Sequence, residues 1–480
     1  MPAELPRFSV AEIELFERPV HLRLPFRFGV VTLTHCPQAF VRARITLPDG
    51  RSGWGAAAEL MAPKWFDKNL ALSNDDNFDQ LRASLRSARE AYTAQAAPLT
   101  AFGHSATHYA PLIAAGAAHG LNPLIACYGA ALLDRALLDA LCRLLGLSFY
   151  DAVRANAVGI DARLATDLAG FDVDGFLRGL APAPAIALRH TVGLVDPIVA
   201  ADVDAPVDDG LPQTLAEVVA ATGCRHYKLK VSGQAAADLD RLSRIAQVLE
   251  AVPDLVVTLD GNEQFSDAQA AAAFWQAVQA TPRLQRLAAS TIYIEQPLPR
   301  AVALDTDVRA LAAMRPVLID ESDATLDAFP RALAQGYTGV SSKQCKGIYR
   351  SLLNAARCSQ RNQQAGRAAC FMSAEDLTTQ AGLAVQQDLA LVNLIGLGHV
   401  ERNGHHYVDG FAGQGATPAE GQAFLQAQPG LYEAQGGTVR LKVSAGRLDL
   451  QSLAAPGFAT RADPEWDSLS PLHTPHTPAA

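Results

Sequence analysis

Five short apolar segments of the chain each end in side chains that can bind a metal ion or transfer a proton. They are residues 226–230, 257–262, 293–297, 317–321 and 338–343. In chain order, the charged side chains near the segment ends are lysine in the first segment, carboxylates in the next three, and lysine in the last. In a parallel β/α barrel the carboxyl ends of all strands open onto one face, so these groups would surround one mouth.

The spacing of these groups matches consecutive strands of such a barrel. Lys230 is followed by Asp260, Glu295, Asp320 and Lys343, at intervals of 30, 35, 25 and 23 residues. One strand–helix unit of a barrel takes about 25 to 35 residues. The sequence therefore predicts these side chains at equivalent ends of strands 2 to 6.

The three carboxylates predict a site for a divalent cation. Converging carboxylates repel one another unless a positive charge lies between them. Hard oxygen ligands favour Mg²⁺, Mn²⁺ or Ca²⁺ over zinc. We expect Asp260, Glu295 and either Asp320 or Glu321 as ligands, because only one of two neighbouring residues on a regular strand points inward. The expected cofactor is Mg²⁺, with Mn²⁺ as a substitute.

Lysines on both sides of this site could move a proton. Lys228 and Lys230 lie two residues apart on one strand, so both side chains point to the same face. Lys343 follows strand 6, across the mouth from strand 2. Mutual repulsion and a nearby metal would lower the lysine pKa values. Two such bases could remove and return the α-proton of a metal-bound carboxylate on either face.

Strand and helix patterns alternate over residues 185–405, the predicted barrel domain. Strand-like segments lie near residues 187–193, 226–231, 255–260, 291–295, 317–320, 338–343, 368–372 and 393–398. This alternation implies a parallel sheet. Eight strands over roughly two hundred residues favour a closed barrel. The sequence has neither a G-x-G-x-x-G turn nor a P-loop, which argues against an open nucleotide-binding sheet.

The rest of the chain predicts a second domain. Residues 1–155 predict an α+β capping domain, in which residues 8–60 alternate apolar and polar as antiparallel strands do. Residues 406–467 return to a β pattern and are expected to pack on the capping domain. The tail, 468–480, is rich in Pro, Thr and His, and we predict that it is disordered.

Composition and charge argue against nucleic-acid-binding, disulfide-rich secreted and membrane proteins. The chain has 480 residues, a formal net charge of −9 and dispersed basic residues, so a nucleic-acid partner is not expected. Its seven cysteines are scattered and form no Cys-x-x-Cys motif, as in proteins of a reducing compartment. No apolar signal segment or membrane span is evident. We therefore expect a soluble cytoplasmic protein without a membrane partner.

Residues 120–400 resemble the mandelate racemase/muconate lactonizing enzyme group of the enolase superfamily. The resemblance rests on the motifs Lys228-x-Lys230, Asp260-x-Asn262, Ile294-Glu-Gln-Pro297, Asp320-Glu-Ser322 and Lys343, and on the helical segment 131–140. It implies an α/β fold, a modified (β/α)7β TIM-like barrel with an α+β capping domain. It also implies a small-molecule carboxylate as substrate and assembly as a homo-oligomer.

The resemblance also assigns roles to individual residues. It implies metal ligands at Asp260, Glu295 and Asp320, with Lys230 and Lys343 as acid/base groups, and Lys228 stabilising the developing oxyanion. The use of a lysine on strand 6 resembles the pattern of the muconate lactonizing branch of the family. The implied reaction is Mg²⁺-dependent abstraction of a proton α to a carboxylate through a metal-stabilised enediolate. Racemisation or epimerisation, cycloisomerisation or dehydration could follow.

The chain also departs from the family pattern. Lys228 stands later than is usual, which indicates an insertion that we place within residues 61–122. Strand 8, with residues 398–402, lacks the Asp-x-Asp that dipeptide epimerases carry there. Asn262, Glu375 and Trp65 are further candidates for contacts with the substrate. Glu375 could instead belong to the acidic first turn of helix 7, and Trp65 could serve packing alone.

The sequence is also compatible with two other functions. A lysine on strand 6 of a barrel also fits a Schiff-base lyase or aldolase, with Lys343 as the nucleophile. A non-catalytic barrel retained as a binding protein is the second alternative. The intact set of charges argues against it, because buried like charges cost stability unless a ligand compensates them.

Overall fold

An antiparallel sheet comes first along the chain in a computed structural model, which describes residues 5–474. Its strands are β1 (Ser9–Phe28), β2 (Val31–Thr46) and β3 (Ser52–Leu60), and each pairs with its sequence neighbour. The alternation of apolar and polar residues is what allows one face of this sheet to be buried. The predicted antiparallel region is confirmed.

Helices cover this sheet. They are α1 (Asn74–Thr93), α2 (Ala101–Ala118), α3 (Pro123–Leu145) and α4 (Phe149–Arg154). Helix α3 packs across β2 and β3, and α1 and α2 pack on α3. The segment 61–122, predicted as an insertion, thus contains two of these helices. Within residues 5–474, no helix is long and apolar enough to cross a membrane.

Parallel strands and helices then alternate. The strands are β4 (Ala185–Val192), β5 (His226–Lys230), β6 (Val256–Asp260), β7 (Thr291–Glu295), β8 (Val317–Ile319), β9 (Gly339–Ser342), β10 (Phe371–Ala374) and β11 (His399–Arg402). The helices before and between them are α5 (Val173–Arg178), α6 (Leu215–Thr222), α7 (Ala235–Leu249), α8 (Ala268–Ala280), α9 (Gln285–Ser290), α10 (Arg300–Ala303), α11 (Arg309–Met314), α12 (Ala328–Ala334), α13 (Ile348–Ala365) and α14 (Leu383–Leu394). The predicted strand–helix alternation is confirmed.

The eighth strand lies later than predicted. Residues 393–398 form the end of α14 and the turn after it, and the strand begins at His399. The apolar pattern of this segment comes from α14, all of whose residues are buried. A short apolar run does not distinguish a buried helix from a buried strand, so the strand was placed too early.

The parallel strands curl into a barrel with one seam. Their order is β10-β9-β8-β7-β6-β5-β4-β11, so the first and last barrel strands are paired. Strands β10 and β11 lie side by side, but no backbone ladder joins them in the described part of the chain. The carboxylates of Asp376, just beyond β10, and Glu401, within β11, bridge the two strands instead. The Asp376 N–H donates to Glu401 Oε2 at 2.8 Å, and the Asn403 N–H donates to Asp376 Oδ2 at 2.7 Å.

The C-terminal part of the chain touches both sheets. It contains α15 (Gly404–Tyr407), α16 (Gly410–Gly413), α17 (Pro418–Ala427), β12 (Tyr432–Gln435), β13 (Thr438–Leu441), β14 (Arg447–Asp449) and β15 (Ser470–Pro471). Arg18 of β1 forms an ion pair with Glu420 of α17, and strand β14 pairs with β4 of the barrel, a contact that the prediction for residues 406–467 did not include. Strand β15 pairs with β1, so the predicted disorder does not hold for residues 470–471. Residues 475–480 of the predicted tail lie outside the described residues.

The contact between α3 and the antiparallel sheet depends on Gly55, and this can be tested. A Cβ atom at Gly55 would lie 2.1 Å from Ala140 N and 2.3 Å from Ala136 O, both backbone atoms of α3. We expect Gly55→Ala to lower the free energy of unfolding by about 1–3 kcal/mol, because the helix must move away. Urea denaturation would measure this loss.

A matched control is Gly398→Ala, since a Cβ at Gly398 would meet no atom within 4 Å. We expect this control to unfold at nearly the wild-type urea concentration. Equal stability of Gly55→Ala and the wild type would contradict the close approach of β3 and α3.

Candidate active site

A buried lysine ammonium lies at the centre of the barrel mouth. The side chain of Lys228, on β5, is 1% exposed. Its Nζ contacts the carboxylates of Asp260 (2.9 Å), Glu295 (2.8 Å), Glu375 (2.7 Å) and Glu401 (3.0 Å). One cation therefore compensates charges from four different strand ends.

Strand register explains why these groups meet. Lys230 is the ladder partner of Asp260, and Asp260 is the ladder partner of Glu295. Parallel strands in register place such residues side by side at one edge of the sheet. Lys230 Nζ lies 2.6 Å from Asp260 Oδ2, an oxygen that Lys228 also contacts. The two lysines thus share one face, as predicted.

A second ion pair forms at the ends of β8 and β9. Lys343 Nζ lies 2.8 Å from Asp320 Oδ2. Lys346 adds a further ammonium, 3.4 Å from Asp320 Oδ1 and 3.2 Å from Asp323 Oδ2. All of these side chains are at most 5% exposed. Each of the three predicted metal ligands therefore has a lysine partner.

The expectation that only one of Asp320 and Glu321 points inward is wrong. Both side chains are at most 1% exposed. Asp320 faces Lys343, and Glu321 accepts a hydrogen bond from Asn262 Nδ2 at 3.1 Å. Strict alternation holds within a strand, but β8 ends at Ile319, so both carboxylates can turn toward the mouth.

Glu375 belongs to the charged cluster and not to a helix start. The next helix, α14, begins only at Leu383, so the alternative interpretation of Glu375 and Asp376 as a first helical turn is wrong. Besides Lys228, Glu375 Oε1 accepts hydrogen bonds from the buried Arg189 guanidinium and from the Tyr293 hydroxyl, the latter at 3.0 Å.

A small cavity of about 20 Å³ lies above these ion pairs. The barrel contributes Lys230 and Lys343 to its lining, and the N-terminal region contributes the aromatic residues Phe26, Phe28 and Trp65. Trp65 is 3% exposed, and its ring centroid lies 4.5 Å from Lys343 Nζ. Asn262 also lines the cavity. The cavity has room for about one water molecule.

The pKa values of two lysines run opposite to the prediction. Burial by itself lowers the pKa of Lys228, but the surrounding carboxylates, Asp260 foremost, raise it well above its usual value. Burial also lowers the pKa of Lys343, and the adjacent Asp320 outweighs this and raises it. Both side chains are therefore ammonium ions in this arrangement. The prediction counted repulsion between the lysines and the charge of a nearby metal, and not the carboxylates beside the lysines.

The lysine charges lower the pKa of some carboxylates of the cluster more than that of others. Burial raises the pKa of Glu295 well above its usual value, and the nearby Asp260 and Glu375 charges raise it further. For Asp260, burial acts in the same direction, but Lys228 and Lys230 outweigh it and lower the pKa. Like charges in one buried site account for this split.

The oxygen donors fit a divalent cation in their chemistry. Glu295 Oε2 and Asp320 Oδ2 are buried, and no donor within residues 5–474 makes a hydrogen bond of acceptable geometry to either, although an ammonium lies 2.8 Å from each. Hard carboxylate oxygens of this kind suit Mg²⁺. A lysine ammonium contacts each of these oxygens, and residues 5–474 contain no ready-made group of three ligands.

Two charged residues of the cluster were not singled out from the sequence. Glu401 lies at the end of β11 and lines the cavity. It was missed because residues 398–402 were compared only with the Asp-x-Asp motif of dipeptide epimerases, although its position near a strand end is the same signal that identified the other acids. Lys346 lies three residues after Lys343, in a short 3₁₀ turn that the strand pattern does not predict.

Comparison with known proteins supports one family for the barrel. Residues 211–431 match the family model described as enolase C-terminal domain-like. The comparison with curated proteins gave no match. Among solved structures, the chain is similar to a muconate lactonizing enzyme from Mycobacterium smegmatis complexed with muconolactone, with a TM-score of 0.61 and 15% identity over 95% of this chain and 98% of that one.

Two further solved structures have the same fold. A dipeptide epimerase from Enterococcus faecalis, complexed with Mg and the dipeptide L-Leu-L-Tyr, has a TM-score of 0.60 and 14% identity over 94% of this chain and 99% of that one. An enolase from Bradyrhizobium, complexed with magnesium and mandelic acid, has a TM-score of 0.58 and 16% identity over 96% and 97%. The architecture of a TIM-like barrel with a capping sheet is therefore confirmed.

The central ammonium predicts a pH-dependent loss of stability in the variant Lys228→Met. Removing it leaves buried carboxylates without their cation, which costs about 3–5 kcal/mol. Folding raises the pKa of Lys228, so its stabilising contribution is fully present below about pH 10. We expect the full loss at pH 7 and a smaller one near pH 4, where the freed carboxylates take up protons. Urea denaturation at both pH values would measure this.

The control is Arg357→Met, which removes the partner of the half-exposed Asp167 carboxylate far from the mouth. We expect a loss of about 1 kcal/mol or less, because exposed partners contribute little. A loss for Lys228→Met that matches this control, or that grows toward pH 4, would contradict the role of Lys228.

Proposed function

The chain belongs to the mandelate racemase/muconate lactonizing enzyme group of the enolase superfamily, and we propose that it abstracts the proton α to a substrate carboxylate. Racemisation or epimerisation, cycloisomerisation or dehydration would complete the reaction. Lys230 and Lys343 are the proposed acid/base groups, and Lys228 the proposed donor to the developing oxyanion. A homo-oligomer and a cytoplasmic location stay predictions.

One observation carries this proposal. Lys230 and Lys343 line the same small cavity, although they follow β5 and β9. These strands are four positions apart in the sheet order, which in an eight-stranded barrel corresponds to opposite sides. A substrate carbon between the two lysines would have one proton-transfer group near each face. That arrangement supports proton removal on one face and return on the other.

The proposed cofactor is Mg²⁺, with Mn²⁺ as a substitute. Asp260, Glu295 and Asp320 would hold it, with Glu321 as the alternative third ligand. Two of the similar structures are described as magnesium complexes. When bound, such a cation supplies electrostatic stabilisation of the negative charge that develops on the substrate carboxylate.

The lysines need different protonation states for their roles. Lys228 contacts four carboxylates, so it keeps its proton and can donate a hydrogen bond to negative charge on the substrate. Lys343 has one close carboxylate partner, Asp320. If Asp320 is engaged elsewhere, the largest influence that raises the pKa of Lys343 is lost, while burial and the nearby Lys228 charge still lower it against the smaller effects of Glu401 and Glu295. A neutral lysine can then accept the α-proton.

The lining favours a substrate with an apolar group, because Phe26, Phe28 and Trp65 form its aromatic part. Asn262 is the proposed polar contact beside the acid/base groups. Glu375 is covered by Lys228 and Arg189, so we propose that it positions Lys228 and does not touch the substrate. This revises its predicted role.

A Schiff-base lyase is the alternative. Such an enzyme needs a neutral lysine as nucleophile, commonly prepared by an apolar pocket or a neighbouring cation. Lys343 instead lies beside Asp320, which raises its pKa. Both roles require Lys343 to lose its proton, so the pKa does not separate them. The three carboxylates at the strand ends, which a Schiff-base lyase does not need, favour proton transfer over covalent catalysis by Lys343.

Loss of proton exchange tests the two lysines. In deuterated water with Mg²⁺, we expect the wild type to exchange the α-proton of at least one acid in a panel of small carboxylates. Lys230→Ala and Lys343→Ala should each lower the exchange rate by about 10²-fold or more, because each removes a positioned acid/base group. NMR of the substrate would follow the label. Arg357→Ala is the control that should keep wild-type exchange.

Wild-type exchange by both lysine variants would contradict the assignment. Activity that persists in EDTA, together with borohydride trapping of a carbonyl compound on Lys343, would favour the Schiff-base alternative instead.

Thermal melting distinguishes the third metal ligand. A cation that binds only the folded protein stabilises it, by about 2.7 kcal/mol at a hundred times its dissociation constant. We expect Mg²⁺ to raise the melting temperature of the wild type and of Glu321→Gln. Asp320→Asn should abolish that rise, because it removes the ligand charge. A rise that persists in Asp320→Asn and disappears in Glu321→Gln would reverse the assignment.

A further inference from the structure

We propose that Glu263 is a positioning residue that fastens a lid over the cavity through Lys68 and Arg300. The lid is residues 64–68, which contain Trp65. The kinetic consequence of this fastening rests on the function proposed above, whereas its structural consequence does not.

Glu263 joins two cations at the barrel mouth. Its side chain is 4% exposed. Lys68 Nζ lies 2.6 Å from Glu263 Oε2. Arg300, at the start of α10, donates from Nη2 to Oε2 at 2.8 Å and from Nε and its backbone N–H to Oε1 at 3.0 and 2.6 Å. A buried carboxylate with this many charged donors makes strong hydrogen bonds.

The same two cations connect the lid to the barrel. Arg300 donates from Nη2 to the Trp65 carbonyl at 2.8 Å and from Nη1 to the Phe66 carbonyl at 3.0 Å. Lys68, itself part of the lid, donates to the Asn262 carbonyl at 2.6 Å. Arg300 therefore holds the lid backbone from the barrel side, and Lys68 reaches the barrel from the lid side. Glu263 is the carboxylate common to both.

The turn that carries Glu263 has an unusual backbone. Asn262 and Glu263 both have positive φ angles, +40° and +68°, which non-glycine residues rarely adopt. The Glu263 N–H donates to the Gln296 carbonyl at 2.8 Å. Such a conformation persists only when surrounding contacts hold it. The turn begins directly after Asp260, so it links a proposed metal ligand to the lid.

The position of the lid determines the environment of Lys343. The Trp65 ring lies 4.5 Å from Lys343 Nζ and is almost fully buried. If Glu263 loses its charge, Lys68 and Arg300 lose their shared partner, and the nearest other carboxylate to Lys68 is Glu321 at 3.9 Å. A looser lid would expose Trp65 to solvent and weaken retention of the substrate.

Acrylamide quenching of Trp65 fluorescence tests the inference without any substrate. The Trp65 contribution is the difference between a protein and its Trp65→Phe counterpart. We expect weak quenching of Trp65 in the wild type and a several-fold larger quenching constant in Glu263→Gln. Lys68→Met should behave alike, and Lys68→Arg should restore weak quenching because it keeps the charge. The control is Glu17→Gln, which weakens a partly buried ion pair with Arg82 away from the lid.

The kinetic readout is the KM of the carboxylate that the wild type exchanges fastest. We expect Glu263→Gln to raise this KM about tenfold or more, with a smaller change in kcat, because a loss of charged hydrogen bonds shifts the lid toward open states.

Unchanged Trp65 quenching in Glu263→Gln would overturn the inference. If that variant loses the wild-type circular dichroism spectrum, Lys68→Met decides by the same measurement, and unchanged quenching there overturns it. Increased quenching together with no exchange by the wild type would leave the inference standing and overturn the proposed function.

Discussion

The site depends on the ammonium group of Lys228. Four carboxylates from four strand ends meet around it, and burying such charges without a cation would cost several kcal/mol for each. That is comparable with the whole stability of a typical domain. Because its partners Asp260, Glu295, Glu375 and Glu401 come from β6, β7, β10 and β11, one ion also ties distant parts of the barrel together. The charges that could perform chemistry are thus the charges that hold the mouth in shape.

The seam of the barrel shows the same double use of carboxylates. Strands β10 and β11 share no ladder among the described residues, and Asp376 and Glu401 bridge them through backbone N–H groups. Both residues also line the cavity. An ordinary ladder at this seam would pair only backbone atoms. Here carboxylate oxygens, which are hydrogen-bond acceptors, take that place and lie beside the cavity. The N-terminal region supplies aromatic rings, so charged and apolar side chains line the cavity together.

The end of β6 and the turn after it carry both a proposed metal ligand and the residue proposed to fasten the lid. Asp260 contacts two lysines of the barrel, and three residues later Glu263 contacts the cations that hold the lid. A movement of this turn would therefore shift both the ion pairs of Asp260 and the position of Trp65. The proposed proton transfer and the proposed fastening of the lid are physically linked through this short piece of backbone.

The order of the charged groups could be read from the sequence because apolar strands of a parallel barrel bring their carboxyl ends to one face. Residue spacing therefore sufficed to predict that Lys230, Asp260, Glu295, Asp320 and Lys343 meet, and it did so without knowing their distances. Only the tertiary structure decided the pairings. Carboxylates from other strands, Asp260 and Asp320 foremost, raise the pKa of Lys228 and Lys343, contrary to prediction. Both Asp320 and Glu321 turn inward beyond the end of β8. The reason is that a pKa and a side-chain direction depend on atoms from strands far away in sequence, whose positions spacing alone does not determine.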